Sequence, residues 1–320
     1  MRSYILKKLA IAVLVFLGVY TIVFLLCFMM PGDPVRVSMG LHSDPQAVEL
    51  LTHAWGLDEP RYVQYFSYLK CFVMGDWGIS FRYEDKAVLG IILDRLPRTA
   101  YLGLWGIIFS VILSIPLGVI AAYKQNKPPD NAAVLISQIG VSLPNFWLGL
   151  MLIAIVAVGL RWISPIPQVP HSELWSFPGF FTSLKPYSLA IITLGTGMMA
   201  TTTRLTRSSM LEIIRQDYIT MLRAKGMPEH VVILKHALRN ALIPVVTIVG
   251  MQVLILIGGV VLTETVFAIN GLGRLYVDAI TARDYPIITA LTLVYAAAVV
   301  IMNLIVDLSY SLIDPRVKLG

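Results

Sequence analysis

RAKGMPEHVVILKHALRNALIPVV, residues 223–246, carries Arg223, Lys225, Lys235 and Arg239 and then runs into a long apolar segment. That basic density stands against the rest of the chain, whose 320 residues are 57% hydrophobic and only 14% charged. The mean hydropathy is +0.76. A soluble domain carries roughly 25% charged residues, so the composition is that of an integral membrane protein. Within the stretch, Gly226 followed by Met227-Pro228 predicts a sharp break between two short helices. Positive charge beside an apolar run first reports which side of a bilayer a loop occupies.

Six apolar segments are long enough to cross, at about 20 residues per helix. They lie near 9–30, 100–122, 132–160, 187–205, 241–262 and 285–306. The expected fold class is all-α: an integral membrane bundle of six transmembrane helices. The first segment follows the basic start MRSYILKK. Its apolar run is too long for a cleavable signal and no small-x-small site precedes Pro31, so it is expected to stay.

Six spans place both ends on one side, and the basic residues select which. With the N-terminus inside, the inner segments hold Arg2, Lys7, Lys8, Lys124, Lys127, seven Lys or Arg between 204 and 240, Arg316 and Lys318. The two short outer loops hold Arg161, Lys185, Arg274 and Arg283. The other seven lie in the long first outer loop, where the rule has little force. The orientation expected is N-in and C-in. It divides the chain into a cytoplasmic N-terminus and first span (1–30), an outer cap loop (31–99), a five-span core (100–310) with a cytoplasmic loop at 204–240, and a cytoplasmic tail (311–320).

The first outer loop contains Pro31-Gly32-Asp33-Pro34, Trp55-Gly-Leu-Asp-Glu-Pro60 and the aromatics Tyr62, Tyr65, Phe66 and Tyr68. These residues predict turns around short helices and a small folded cap on the outer face. Cys27 lies in the first apolar run and Cys71 in the cap, so pairing would require Cys71 to reach membrane depth; both read as free thiols. His42, His53, His171, His230 and His236 show no metal-ligand spacing, and no metal site is expected. The net charge of +6 is spread along the edges of apolar runs, which does not point to nucleic acid.

Enzymatic classes find little support. There is no GxxxxGK[ST] loop for nucleotide and no GxSxG nucleophile. Charge deep in the spans, which would mark an ion relay, is nearly absent. Arg204, Arg207, Glu264 and Asp307 fall at span ends, where charges reach the interface. Uncharged polar groups do enter the spans. Ser142-Leu-Pro144-Asn145 predicts a kink, since Pro144 removes a backbone donor. Ser142, Asn145, Thr196 and Gln252 are candidates for a water-accessible path for a polar solute, with helix packing as the alternative for each. A self-contained carrier or channel would want buried charges or inverted repeats, and neither is visible.

Residues 204–240 make an inner loop far longer than a connection needs. Its interleaved apolar and charged residues predict short amphipathic helices that dock into a partner's groove. A basic lipid anchor would need no Gly226 break, and Glu212, Asp217 and Glu229 dilute its positive face.

Ala224-Lys225-Gly226, His236-Ala-Leu-Arg239-Asn240-Ala241 and Pro244 resemble the inner-loop signature of ABC-importer permeases, more narrowly the dipeptide/oligopeptide/nickel family. Further motifs of that family recur in order. They are Pro31-Gly32-Asp33-Pro34, Gly56-Leu-Asp-Glu-Pro60, Gly75-Asp-Trp-Gly-Ile-Ser80, Leu205-Thr-Arg-Ser-Ser-Met210, Thr263-Glu-Thr-Val-Phe267, Gly271-Leu-Gly-Arg274, Arg283-Asp-Tyr-Pro286 and Asp314-Pro-Arg316. Two positions depart: Met221-Leu222 replaces smaller residues, implying a more apolar facing groove, and Asn270 replaces a proline.

The resemblance implies a type I ABC-importer permease fold in the cell (inner) membrane. It also implies pairing with a paralogous permease, two ATPase subunits beneath, and an external solute-binding protein. This chain would hold no cofactor; ATP and Mg would sit on the ATPases. A helix around 212–231 would seat in an ATPase groove, with Asp217, Tyr218, Arg223, Ala224, Lys225, Gly226, His236, Arg239 and Asn240 in the coupling loop. Glu264, Gly271, Gly273, Arg274, Arg283 and Asp284 would meet the binding protein. Short peptides are the solute favoured, with nickel or a metal chelate as runner-up.

Overall fold

The computed structural model describes residues 2–29, 32–39, 44–83 and 86–313. Pro31, His42 and the closing Asp314-Pro315-Arg316 lie outside the described residues. In chain order the helices are α1 (Arg2–Met29), α2 (Pro34–Met39), α3 (Pro45–Ala54), α4 (Arg61–Val73) and α5 (Val88–Tyr123). Next come α6 (Pro128–Ser142) and α7 (Asn145–Leu152), which widens into a π-helical turn over Ile153–Gly159. The short α8 (His171–Leu174) and α9 (Phe177–Thr182) precede α10 (Leu184–Ile214) and α11 (Asp217–Ala224). From α12 (Glu229–Val231) a second π-helical turn, Val232–Ala237, leads into α13 (Leu238–Val266). Last come α14 (Leu272–Ala282) and α15 (Tyr285–Ile313). Among the described residues no strand forms; one antiparallel bridge joins Ile79 and Ala87.

Four helical stretches are long and apolar enough to cross a membrane: Ala10–Met29, Val88–Tyr123, Glu229–Gln252 and Tyr285–Ile305. α6 and α7 qualify together, but they meet at 103°. The expected third span, 132–160, is therefore two helices, not one kinked rod. Leu143 takes an extended ψ of 128°, the conformation that a following proline imposes, and Pro144 then caps α7, which begins at Asn145. The expected fourth span, 187–205, lies inside α10 but is not among the qualifying helices. Its threonines and glycines lower its hydropathy.

Residues 204–240 are far less of a loop than expected. α10 continues to Ile214 and α13 begins at Leu238, so the helix anticipated around 212–231 is only Asp217–Ala224.

Backbone contacts group the chain into two compact units. One draws on residues within 1–98 and 270–301, the other on residues within 99–269 and 302–318. The first unit has a core of Val23, Phe81, Val88, Ile92, Leu275 and Leu291 with their neighbours. Aromatic rings of α1 and α4 form a second cluster around Tyr20 and Phe24. In the second unit, α10 is central and packs against α6, α7 and α13.

Small residues set how closely α10 is approached. A methyl group built on Gly118 of α5 would lie 2.5 Å from Thr206 Cβ and 2.9 Å from Thr203 O. One built on Gly140 of α6 would lie 2.9 Å from Ala200 Cβ. Most threonine hydroxyls along α10 are satisfied within the helix: Thr193 donates to Leu189 O at 2.7 Å and Thr206 to Thr202 O at 2.8 Å. Gly118→Val is expected to lower unfolding stability by about 2 kcal/mol, the range for overpacking. Thermal unfolding of the purified protein in mild detergent checks this, with Gly90→Val, at a position with open space, as the control.

Candidate functional site

α11 is an amphipathic helix bounded by two backbone breaks. Gln216, extended at ψ 149°, separates it from α10. At its other end Gly226 has φ +75°, the left-handed region that glycine enters without penalty. Lys225 N donates to Met221 O and Met227 N to Leu222 O, closing the helix in the manner of a glycine C-cap. A methyl group on Gly226 would meet nothing within 4 Å. The glycine is there for its backbone angle, not for a close approach to this chain.

One face of α11 is buried in a cluster that joins several helices. Ile219 is buried together with Val119 and Ala122 of α5, Met210 of α10, Val232 and Ile233 of the π-helical turn, and Ala241 of α13; Tyr218 and Leu222 pack against them. The opposite face, with Asp217, Thr220, Met221, Ala224, Lys225 and Gly226, is exposed. Of the two departures Met221 and Leu222, only Met221 thus faces outward.

Polar contacts hold the helix in place. Arg223 meets Glu229 in a bidentate pair, Nε to Oε2 at 3.1 Å and Nη2 to Oε1 at 2.8 Å. Asn240 Nδ2 donates to the Tyr218 hydroxyl at 2.8 Å, and that hydroxyl lies 3.5 Å from His236 O. Of the residues expected in the coupling loop, Asp217, Tyr218, Arg223, Ala224, Lys225 and Gly226 lie on α11 or its C-terminal turn and His236 and Asn240 meet Tyr218, while Arg239 is exposed on α13.

The candidate path residues divide. Ser142 is exposed at the α6–α7 break and Asn145 opens α7. Asn145 Oδ1 lies 3.4 Å from where a methyl on Gly197 would sit, beside Thr196, whose hydroxyl donates to Ile192 O. Gln252 does not belong with them. It is buried and ties α13 to α10, accepting from Thr202 Oγ1 at 3.2 Å and donating Nε2 to Met198 O at 3.3 Å. Thr201, Arg204 and Ser208, all exposed on α10, extend the polar face. The spacing of i, i+3 and i+7 carried that signal.

Arg207 is no interfacial charge. Its Nε and Nη2 grip both oxygens of Asp130, the latter at 2.8 Å, and Asp130 Oδ2 also accepts from Asn126 N at 2.8 Å. The Asp130 side chain is 2% exposed. This clamp fixes the start of α6 to α10, and nothing in the sequence separation of 77 residues announces it.

The residues expected to meet a binding protein are mostly enclosed. Gly271 and Gly273 are buried at the start of α14, while Arg274 and Arg283 are half-buried. Glu264 is buried and accepts from Thr99 Oγ1 at 2.6 Å. Asp284 is buried as the cap of α15: its Oδ1 accepts from Ile287 N, and its Oδ2 from the Ser80 hydroxyl and Arg82 N. Neither carboxylate offers a surface for docking; Asp284 pins the 80–83 turn to α15.

Residues 114–319 match the family described as binding-protein-dependent transport system inner membrane component. Residues 1–103 match the N-terminal family of the same membrane components. The chain is similar to the dipeptide transport system permease protein DppB of Alkalihalophilus pseudofirmus, 40% identical over 99% of this chain and 100% of that protein. It is similar to the oligopeptide transport system permease protein AppB of Bacillus subtilis, at 38% over 99% and 100%. The glutathione transport system permease protein GsiC of Escherichia coli K12 is 37% identical over 99% of each. This chain belongs to the binding-protein-dependent inner membrane permeases, a family of multi-pass transport components.

Removing one side of the clamp is expected to be costly. Asp130→Leu leaves the Arg207 charge partly buried and should destabilise by about 3 kcal/mol, whereas Asp130→Leu with Arg207→Met should recover most of the loss; unfolding in detergent reads both. Asp284 gives a pH signature. Burial raises its carboxyl pKa, against the lowering effect of the Ser80 hydroxyl and the Arg82, Ile287 and Phe81 amides. The folded state then binds more protons than the unfolded one, so this contribution is greatest below about 4, the ordinary aspartate value, and is lost as pH rises through the raised one. The unfolding midpoint should carry that fall in the native protein and lack it in Asp284→Asn.

Proposed function

We propose that this chain is one of two paralogous permease subunits of an ATP-driven importer that takes short peptides from an external binding protein. The observation that carries the reading is α11: a short helix, pinned at both ends, whose outward face is left uncovered while its inward face reaches three other helices. The names of the relatives, which include dipeptide, oligopeptide and glutathione permeases, support peptides as the solute.

The six-span, N-in arrangement is retained in this reading, with the α6–α7 pair as one crossing and α10 as another. At about 1.5 Å per residue, the 31 residues of α10 extend about 46 Å, beyond the roughly 30 Å hydrocarbon core. Its threonines let it cross despite their hydroxyls, since Thr193, Thr196, Thr203 and Thr206 donate inside the helix and Thr202 to Gln252 of α13. The excess length carries Arg204, Arg207 and Glu212 past the inner interface.

ATP and Mg belong to two ATPase subunits. The outward face, with Asp217, Thr220, Met221, Ala224 and Lys225, seats in a groove on one of them. When the ATPases close, they push α11 through Ile219 and Leu222 into the shared cluster. That displaces the adjoining ends of α5, α10 and α13 together and shifts the population between inward-open and outward-open states. Solute passes along Ser142, Asn145, Thr196 and the exposed face of α10.

Gly226→Trp separates this mechanism from a self-contained carrier. The side chain has open space within this chain but would enter the proposed groove, so membrane insertion should survive while ATP-driven uptake and co-purification of the ATPases are lost. Gly226→Asn, which tolerates a left-handed backbone, should keep both. Normal uptake by the tryptophan variant would refute the docking role of α11.

A further inference from the structure

In the unit that contains α1, the helix α4 is out of place for a cap standing above the membrane. It lies along α1 between Tyr20 and Phe28, inside the apolar stretch Ala10–Met29 that is fit to span. The Tyr20 hydroxyl donates to Tyr65 O at 2.8 Å, Thr21 Oγ1 is 2.8 Å from the Tyr65 hydroxyl, and the Phe24 and Tyr65 rings meet edge-on at 5.2 Å. Cys71 consequently lines the same cavity as Cys27. Both thiols are free, and α4 places Cys71 beside the apolar stretch of α1 that holds Cys27.

The side of α4 turned away from α1 is also apolar. Tyr62, Phe66 and Val73 are exposed at 69%, 65% and 77%. They continue the exposed surface that Ile22, Leu25, Leu26 and Met29 of α1 present to the bilayer. An apolar, aromatic stripe with Arg61 and Lys70 beside it is the composition of a helix face in contact with lipid.

Because α1 and α4 meet through rings, a cavity is left between them. It is open to the outside and holds about 160 Å³, with Phe24, Phe28, Phe72 and Trp77 in its walls and Thr289 and Ala290 of α15 closing one side. Phe28 and Tyr285 are shared with a second, more polar hollow that contains Asp33, Thr52 and Arg61; Asp33 lies 3.5 Å from Arg36, its own cation. The Arg61 guanidinium lies over the Phe28 ring at 4.1 Å, at this boundary. It has no ion-pair partner among the described residues. We propose that this paired hollow binds one phospholipid, with an acyl chain between α1 and α4 and its phosphate at Arg61. On the N-in orientation, the lipid comes from the outer leaflet. Hydrocarbon filling the space restores the contacts that a void forfeits.

The site is tested in native membranes holding the whole transporter. They are loaded with phosphatidylethanolamine that bears a photoactivatable diazirine on one acyl chain, and adducts are mapped to single residues. The expected result is adducts on Cys71, Phe72 or Trp77 as well as on Leu25, Leu26 and Met29. Ser67→Trp, which fills the cavity from its rim, should remove the first group and keep the second. Arg61→Ala should weaken the first group for the phospholipid but not for a diacylglycerol carrying the same diazirine, which lacks the phosphate. A second readout needs no variant: Cys71 of the wild type should resist a hydrophobic maleimide in membranes and react once lipid is stripped by detergent. Adducts confined to the exposed faces of α1 and α4, with Cys71 equally reactive before and after stripping, would overturn the proposal.

Discussion

The second unit depends on how closely other helices can come to α10. Hydrophobic attraction between helices is weak in lipid, where the tails are as apolar as the side chains, so contact distance and internal hydrogen bonding decide association. Gly118 and Gly140 remove the side chains that would keep α5 and α6 away from Thr206 and Ala200. Most of the α10 threonines supply small surfaces whose hydroxyls are already satisfied within the turn above; Thr202 keeps its hydroxyl for α13. With this approach in place, Gln252 can reach Thr202 and Met198 from α13, and Arg207 can close on Asp130.

The same arrangement gives α11 its leverage. A short helix has little stability of its own, because nucleation is costly and few hydrogen bonds repay it. α11 persists because Ile219 and Leu222 are embedded among α5, α10 and α13, while Tyr218 and Arg223 fasten its two ends. A helix held this way moves with the helices that hold it. The π-helical turn at Val232–Ala237 carries the chain into α13 without an intervening loop, so the connection is stiff. Such wide turns recur at functional places in helices.

How far the sequence could be read differs from element to element. The apolar runs predicted α1, α5, α13 and α15 because length and hydropathy are local properties. The break after Ala224 was legible for the same reason, since Gly226 and Pro228 act on their own backbone. Asp284 and Glu264 were read as contacts for another protein, yet both are buried. A charged residue between helices looks alike in sequence whether it faces water or caps a neighbouring turn. For Gln252 the sequence leaves a solute path and helix packing both open, and its bonds to Thr202 and Met198 favour packing; those partners lie fifty or more residues away. Cys71 was kept above the membrane since nothing local showed that α4 lies along α1.

The sequence by itself determined that this is a helical membrane protein with a basic, interrupted segment between apolar runs. Its motif order determined the family. Those properties rest on transfer free energies and backbone preferences that each short stretch carries alone. Only the tertiary structure decided which polar side chains are spent on holding helices together and which stay free to meet a solute or a partner. The reason is physical: a buried polar group must find a hydrogen-bond partner, and which partner is in reach depends on where distant helices meet.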